Sequence, residues 1–405
     1  VEQLERRLER RPTVADRIGS VALPFWRTCA YLSPSAVRRR GKRFATHEIP
    51  PPRPSARVFA HVAVDEFTLA MFRLLRDGPT TDAWMRISTE VDAATAQFRE
   101  RGWLAGPTWY DADPPPLSDP RIRTIRAPAG RLERLTFPSE WMPHAGEPGR
   151  ERWLSYERNR VARAHVMRHR DGHRPWIVCL HGAGMGRPDS DLWVLRARHL
   201  HHDLGCNVVL PVLALHGARR PPSESGAQFP GIDVLDNIHG LAQSAWDVRR
   251  VLTWVRAQDA RGVGLMGVSL GGYVAALVAG LDAPLACVVV GVPAVDFPKI
   301  LRHHTPREVR GLPEFRVLGE KSDRLHRVVS PLLVRPATPV ERRFILGGTA
   351  DRLLDPVHQT AALWKHWDRP SIHWIASGHV GHLWRRDSAA FIDAALMQSG
   401  LVKQN

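Results

Sequence analysis

Hydrophobic positions fall into two rhythms along this chain. From Arg121 onward, short apolar runs alternate with stretches whose apolar residues recur at helical spacing. The runs Ile122–Ile125, Leu132–Phe137 and Asn159–His169 predict antiparallel lead-in strands. Trp176–Leu180, Cys206–Pro211, Gly262–Val268, Leu285–Val290, Arg343–Leu346 and Ser371–Ala376 read as the strands of a parallel sheet, buried on both faces. Between them, Asp189–Asp203, Ile238–Ala257, Gly271–Leu281, Pro356–Trp367 and Asp387–Met397 predict helices. Such alternation lays helices on both faces of one sheet. The expected class is α/β, with a mostly parallel central sheet flanked by helices.

Two regions depart from that rhythm. Pro293–Pro339 carries Pro298, Pro306, Pro313, Pro331 and Pro336 among short helical stretches, and reads as a small cap inserted above the carboxyl ends of the strands. Residues 1–120 read as a helical, basic extension separate from a domain spanning 121–405. Within the extension, Glu2–Arg17 is a charged helical pattern, and Ile18–Leu32 is mostly apolar, with Arg27 its only charge. Pro50-Pro51-Pro52 and Pro54 make a stiff linker, Val58–Leu75 and Thr81–Arg101 predict two helices, and Pro114-Pro115-Pro116 closes the region.

Composition changes this picture in two places. The formal charge is +16, and only five of the 57 basic residues are Lys, the rest being Arg. Five cations crowd into Arg38–Arg43, just after the aromatic pair Phe25 and Trp26, a combination able to meet an anionic membrane surface. The blander expectation is a helix docked on the main domain followed by a solvated loop. Specific nucleic-acid binding has only the charge in its favour. The four cysteines, Cys29, Cys179, Cys206 and Cys287, stand alone with no CxxC spacing, which fits a reducing compartment. The opening VEQLERRLERRP holds Glu2, Glu5 and Glu9, unlike the basic start of a signal peptide. The expected location is the cytoplasm, with peripheral membrane contact as the alternative.

The chemistry is concentrated in Gly262–Leu281, twenty residues without a charge. Their length alone suits a membrane span. Their halves instead read as a buried strand and a buried helix, joined by Gly267-Val268-Ser269-Leu270-Gly271, a G-x-S-x-G sequence. With 31 Gly in the chain, chance supplies such a match in roughly one chain of this kind in ten, so its setting must confirm it. A strand that turns at once into a helix forces its middle residue into strained angles and lifts the side chain clear of the sheet. It also sets the Ser hydroxyl at a helix N-terminus, where negative charge is favoured.

A hydroxyl becomes a nucleophile when a base takes its proton and a third group orients that base. An acid is expected past the strand that follows the insertion and a base past the last strand. Gly347-Gly348-Thr349-Ala350-Asp351 and Ser377-Gly378-His379 supply them. Asp355 is the rival acid, but it precedes Pro356 and reads as the cap of the following helix. Asp296 is a third candidate. His382 competes with His379, whereas His373 falls inside a strand. For the oxyanion, one N–H is expected from Leu270. The other is expected from the loop His181-Gly182-Ala183-Gly184-Met185-Gly186, with Ala183 first and Gly184 next. No Lys-Ser/Thr follows that loop, so it makes a weak phosphate cradle, and His181 is expected to brace it.

HGAGMG, GVSLGG, GGTADRLLDP and SGHVGHL, in that order, resemble the α/β-hydrolase superfamily over roughly Arg121–Asn405. The extension together with GVSLGGYVAAL and SGHVGHLW looks most like abhydrolase-domain proteins associated with lipid deacylation, although HGAGMG departs from the HGGG of some lipases. The resemblance implies the α/β-hydrolase fold, Ser269 as nucleophile, Asp351 as acid, His379 as base, and Leu270 with Ala183 as oxyanion donors. It implies cleavage of a carboxylic ester or thioester, of a small molecule or a lipid, with no cofactor or metal. An acyltransferase or a peptidase would use the same residues. A non-catalytic binding protein of this fold at an anionic surface is the reading from another class.

Overall fold

The computed structural model describes residues 14–74, 80–127, 130–222, 228–305 and 313–403. The predicted helical pattern Glu2–Arg17 therefore lies mostly outside the described residues, as does part of the insertion. The strands are β1 (Arg121–Ala127), β2 (Gly130–Pro138), β3 (Val161–Met167), β4 (Pro175–Leu180), β5 (Asn207–Val212), β6 (Gly262–Val268), β7 (Cys287–Gly291), β8 (Arg343–Gly348) and β9 (Ser371–Ile375). They form one sheet in the order β1-β2-β3-β5-β4-β6-β7-β8-β9. β1, β2, β3 and β5 pair antiparallel in turn. From β5 through β4 to β9 every pairing is parallel.

The central strands β4 to β8 are buried along almost their whole length because both faces are covered, whereas β1 at the sheet edge is largely exposed. Trp176, Val178 and Leu180 of β4, Leu265 of β6 and Val288 and Val290 of β7 face one core, under the helices Val234–Arg256 and Leu270–Leu281. Their neighbours Ile177, Cys179, Met266, Cys287 and Val289 face the other, under Ala197–His202 and Arg386–Gln398. The period of two sorts each strand between two cores. No helix among the described residues is long and apolar enough to cross a membrane, and the apolar stretch Gly262–Leu281 is a strand plus a helix. The four cysteines are free.

Three expected elements are drawn differently. Asp189–Asp203 is two helices, Pro188–Val194 and Ala197–His202, broken at Arg196, whose φ is 52°. The helix expected from Pro356 starts at Thr360, after a turn in which Asp355 Oδ1 accepts from the Val357 N–H at 2.9 Å. The basic cluster is not a loop but part of the helix Pro34–Ala45.

The N-terminal helices dock beside β8 and β9. Val58 and Val62 of the helix Ala56–Leu74 bury against Ala350, with Tyr31 and Leu32 packed alongside. Phe44 and Ile49 bury against Val357 and Ala361. Each large side chain buried in this way contributes roughly 1.5–3 kcal/mol. The helix Thr81–Glu100 is tied in by Arg152, which meets Glu90, Asp233 and Asp236.

A second buried network ties the lead-in strands to the long helix Val234–Arg256. Arg219 is fully buried. It donates to Val212 O at 2.9 Å and Asn159 O at 2.8 Å, and pairs with Asp247 at 2.8 Å. Removing one member of such a pair leaves the other charge uncompensated. Arg219→Met is therefore expected to lower the unfolding free energy by about 3–5 kcal/mol in urea titrations. Arg302→Ala, which breaks the exposed pair with Asp323, should cost no more than about 1 kcal/mol.

Candidate active site

Ser269 stands at the junction of β6 and the helix Leu270–Leu281, with φ 56° and ψ −116°. The bend is pinned on both sides. Its N–H donates to Gly291 O at 3.0 Å, and its carbonyl accepts from the N–H groups of Tyr273 and Ala294, both at 3.1 Å. The flanking glycines are steric necessities. A Cβ on Gly267 would lie 2.1 Å from Gly271 O, and one on Gly271 would lie 2.2 Å from Leu180 O.

The acid follows β8. Asp351 Oδ1 accepts from the N–H groups of Leu353 (2.9 Å) and Leu354 (2.7 Å), which leaves Oδ2 to face the loop after β9. There it lies 2.7 Å from His379 Nδ1, while His379 Nε2 lies 3.0 Å from Ser269 Oγ. The structure thus brings together Ser269, Asp351 and His379, three residues from three strand ends. With Oδ2 as acceptor, Nδ1 carries the proton and Nε2 is free to accept from the hydroxyl. Burial disfavours the imidazolium. The charge and hydrogen bond of Asp351, with the charge of Asp65, outweigh it and raise the His379 pKa.

The rivals are engaged elsewhere. Asp355 forms a two-point pair with Arg43, at 2.8 and 3.2 Å. Asp296 caps the helix Phe297–His304, accepting from the Lys299 N–H at 3.0 Å. His382 Nδ1 lies 2.5 Å from His379 O, and burial, with the charge of His379, pushes its pKa down to about 4. His373 stacks on Phe391.

The loop after β4 lies against the nucleophile, since a Cβ on Gly182 would come within 3.6 Å of Ser269 Cβ. His181 holds that loop. Its Nε2 accepts from the Leu213 N–H at 3.1 Å, so its Nδ1, 2.8 Å from Gly182 O, is the donor. Burial keeps this ring neutral, with a pKa near 4. Ala183 is the half-buried next residue of the loop, and Leu270 begins the elbow helix. Among the described residues no cluster of three or more His, Cys, Asp or Glu is placed to hold a metal ion.

One contact was not anticipated from the sequence. Asp65, in the helix Ala56–Leu74, is fully buried and accepts from the N–H groups of Arg352, His379 and Val380. The available signal was the pair Asp65-Glu66 inside an otherwise apolar helical stretch.

Strand order, the strained bend and the order Ser269, Asp351, His379 along the chain define an α/β hydrolase, and the chain belongs to that superfamily. Residues 155–296 match the family model described as alpha/beta hydrolase domain containing 18. Uncharacterized proteins of Mycobacterium tuberculosis strains H37Rv and CDC 1551 are each 41% identical over 386 residues, covering 94% of this chain and 91% of the relative. Among solved structures, acetyl xylan esterase 1 from Thermoanaerobacterium sp. JW/SL YS485 aligns with TM-score 0.48 and 16% identity, over 74% of this chain and 98% of that one. Brefeldin A esterase, a bacterial homologue of human hormone sensitive lipase, aligns with TM-score 0.41 and 17% identity, over 78% and 86%.

The electrostatics give a direct check by nuclear magnetic resonance. The His379 ring should titrate above the ordinary histidine value of about 6.5. Asp351→Asn removes the partner of the imidazolium and leaves burial dominant, so the midpoint should fall. His382 should stay neutral until about pH 4.

Proposed function

We propose that this chain is a serine hydrolase that cleaves a carboxylic ester or thioester through an acyl-enzyme. The observation that carries the reading is the pair of hydrogen bonds at 3.0 and 2.7 Å linking Ser269 to His379 and His379 to Asp351. Ser269 Oγ attacks the acyl carbon as its proton passes to His379 Nε2, and Asp351 stabilises the imidazolium that forms. The N–H groups of Leu270 and Ala183 hold the tetrahedral oxygen. His379 then protonates the leaving alcohol or thiol. Water, activated by the same imidazole, attacks the acyl carbon and releases the acid. The reading calls on no metal or organic cofactor.

The same relay serves an acyltransferase that passes the acyl group to another acceptor, or a peptidase. A feature of the N-terminal helices favours a lipid ester. Phe25 and Trp26 are 57% and 68% exposed, and Arg38, Arg39 and Lys42 are exposed on the following helix. Exposed aromatic rings and exposed cations on successive helices suit peripheral contact with an anionic membrane. A binding protein without catalysis would need none of the relay.

A fluorophosphonate probe should label the wild-type protein, and Ser269→Ala should abolish labelling. Hydrolysis of a p-nitrophenyl ester series should fall about 10⁴-fold in Asp351→Asn, because the imidazole loses its orienting partner. An unlabelled wild-type chain sinks the proposal. The base must be neutral to act, and the His379 pKa is raised. Activity should therefore climb with pH to a midpoint above about 6.5.

A further inference from the structure

The helix Ala56–Leu74 presses two side chains, one turn apart, onto the loop that carries His379. His61 fills the space beside Gly381, where a Cβ would come within 2.6 Å of the His61 ring. Asp65 fills the space beside Gly378, where a Cβ would lie 2.6 Å from Asp65 Oδ2. The Asp65 carboxylate is saturated with backbone donors. Oδ2 accepts from the N–H of His379 at 2.6 Å and of Arg352 at 3.0 Å, and Oδ1 accepts from Val380 at 3.0 Å. Arg352 directly follows the acid Asp351, so one carboxylate spans both loops of the relay. Glu66, also buried, pairs with Arg352 at 2.7 Å and with Arg27 at 3.1 Å, locking the same junction from the side.

Packing alone does not explain a charge at this position. A buried carboxylate is costly unless its hydrogen bonds are satisfied. Asp65 lies near a second carboxylate, and burial and Asp351 together push its pKa up to about 6. An apolar side chain in the same volume would avoid both penalties. It could not hold three amide groups at fixed distances or place negative charge behind the imidazole.

We infer that Asp65 is a positioning residue of the active site: it clamps the Asp351 and His379 loops in register, so that the N-terminal helices complete the relay. This rests on the serine-hydrolase reading above. Asp65 touches no reacting atom. It acts through the backbone of His379 and Arg352, and a displacement of about 1 Å in such a group is enough to slow catalysis about a hundredfold.

The test uses the full-length chain with Asp65→Asn, Asp65→Ala, Gly378→Ala and the double variant Asp65→Ala/Gly378→Ala. In Asp65→Asn an amide group must replace an acceptor oxygen. The kcat on p-nitrophenyl acetate should fall about a hundredfold, with KM little changed. The low-field proton resonance of the His379–Asp351 hydrogen bond should shift or vanish in the folded variant. Gly378→Ala forces a methyl group against the carboxylate and should cause a similar loss. That added cost should disappear in the Asp65→Ala background, because both changes act on one contact. An unchanged kcat and resonance in folded Asp65→Asn overturns the inference, as does a double variant whose losses multiply. If the wild-type chain neither turns over nor takes the probe, the hydrolase reading fails. The low-field resonance still reports in that case whether Asp65 holds the two loops.

Discussion

Ser269 can hold its strained angles because Gly267 and Gly271 carry no side chain, so backbone atoms pack directly against them. The approaches of 2.1 and 2.2 Å that a methyl group would make there are impossible contacts with backbone atoms. Strand, bend and helix can close only on bare backbone at those two positions. Everything else in the site is placed relative to that bend. The loop of Gly182 backs onto it, the carbonyl of Gly291 receives its N–H, and the loops after β8 and β9 deliver Asp351 and His379 to it. The surrounding sheet supplies the rigidity that keeps the strain in place.

The part of this arrangement that local chemistry dictates was legible in the sequence. Apolar runs of strand length, the glycine-flanked serine, and an acid and a histidine past successive strands all appear as short patterns along the chain. What escaped was set by distant partners. Asp65 reads locally as a solvated residue on a helix face, and its partners Arg352, His379 and Val380 lie 287 to 315 positions away. Asp355 pairs with Arg43, and the helix it was expected to cap begins later. Arg196 breaks a helix with a backbone angle that its side chain does not announce.

The excess of arginine also changes meaning in three dimensions. Within the cationic run of the second helix, Arg40 lies over the Tyr31 ring at 3.6 Å and Arg43 is committed to Asp355. Arg352 also lies over the Tyr31 ring, 4.4 Å from its centroid, while pairing with Glu66. Planar guanidinium groups stack and hydrogen-bond at once, which a lysine ammonium cannot do. Part of the positive charge is therefore mortar between the N-terminal helices and the sheet, and Arg38, Arg39 and Lys42 remain on the outside.

The long reach from Asp65 to His379 also bears on how the protein is made. The helix that carries Asp65 leaves the ribosome well before its seat exists, because that seat includes the loop after β9. At about 5–20 residues per second, the intervening 314 residues take roughly 15–60 s. Through that interval the helix has Tyr31 and Leu32 to pack on, but not Ala350 or the loop of His379. A nascent chain of this kind cannot assemble its relay until the loop of His379 has been made, long after the helix that steadies that loop.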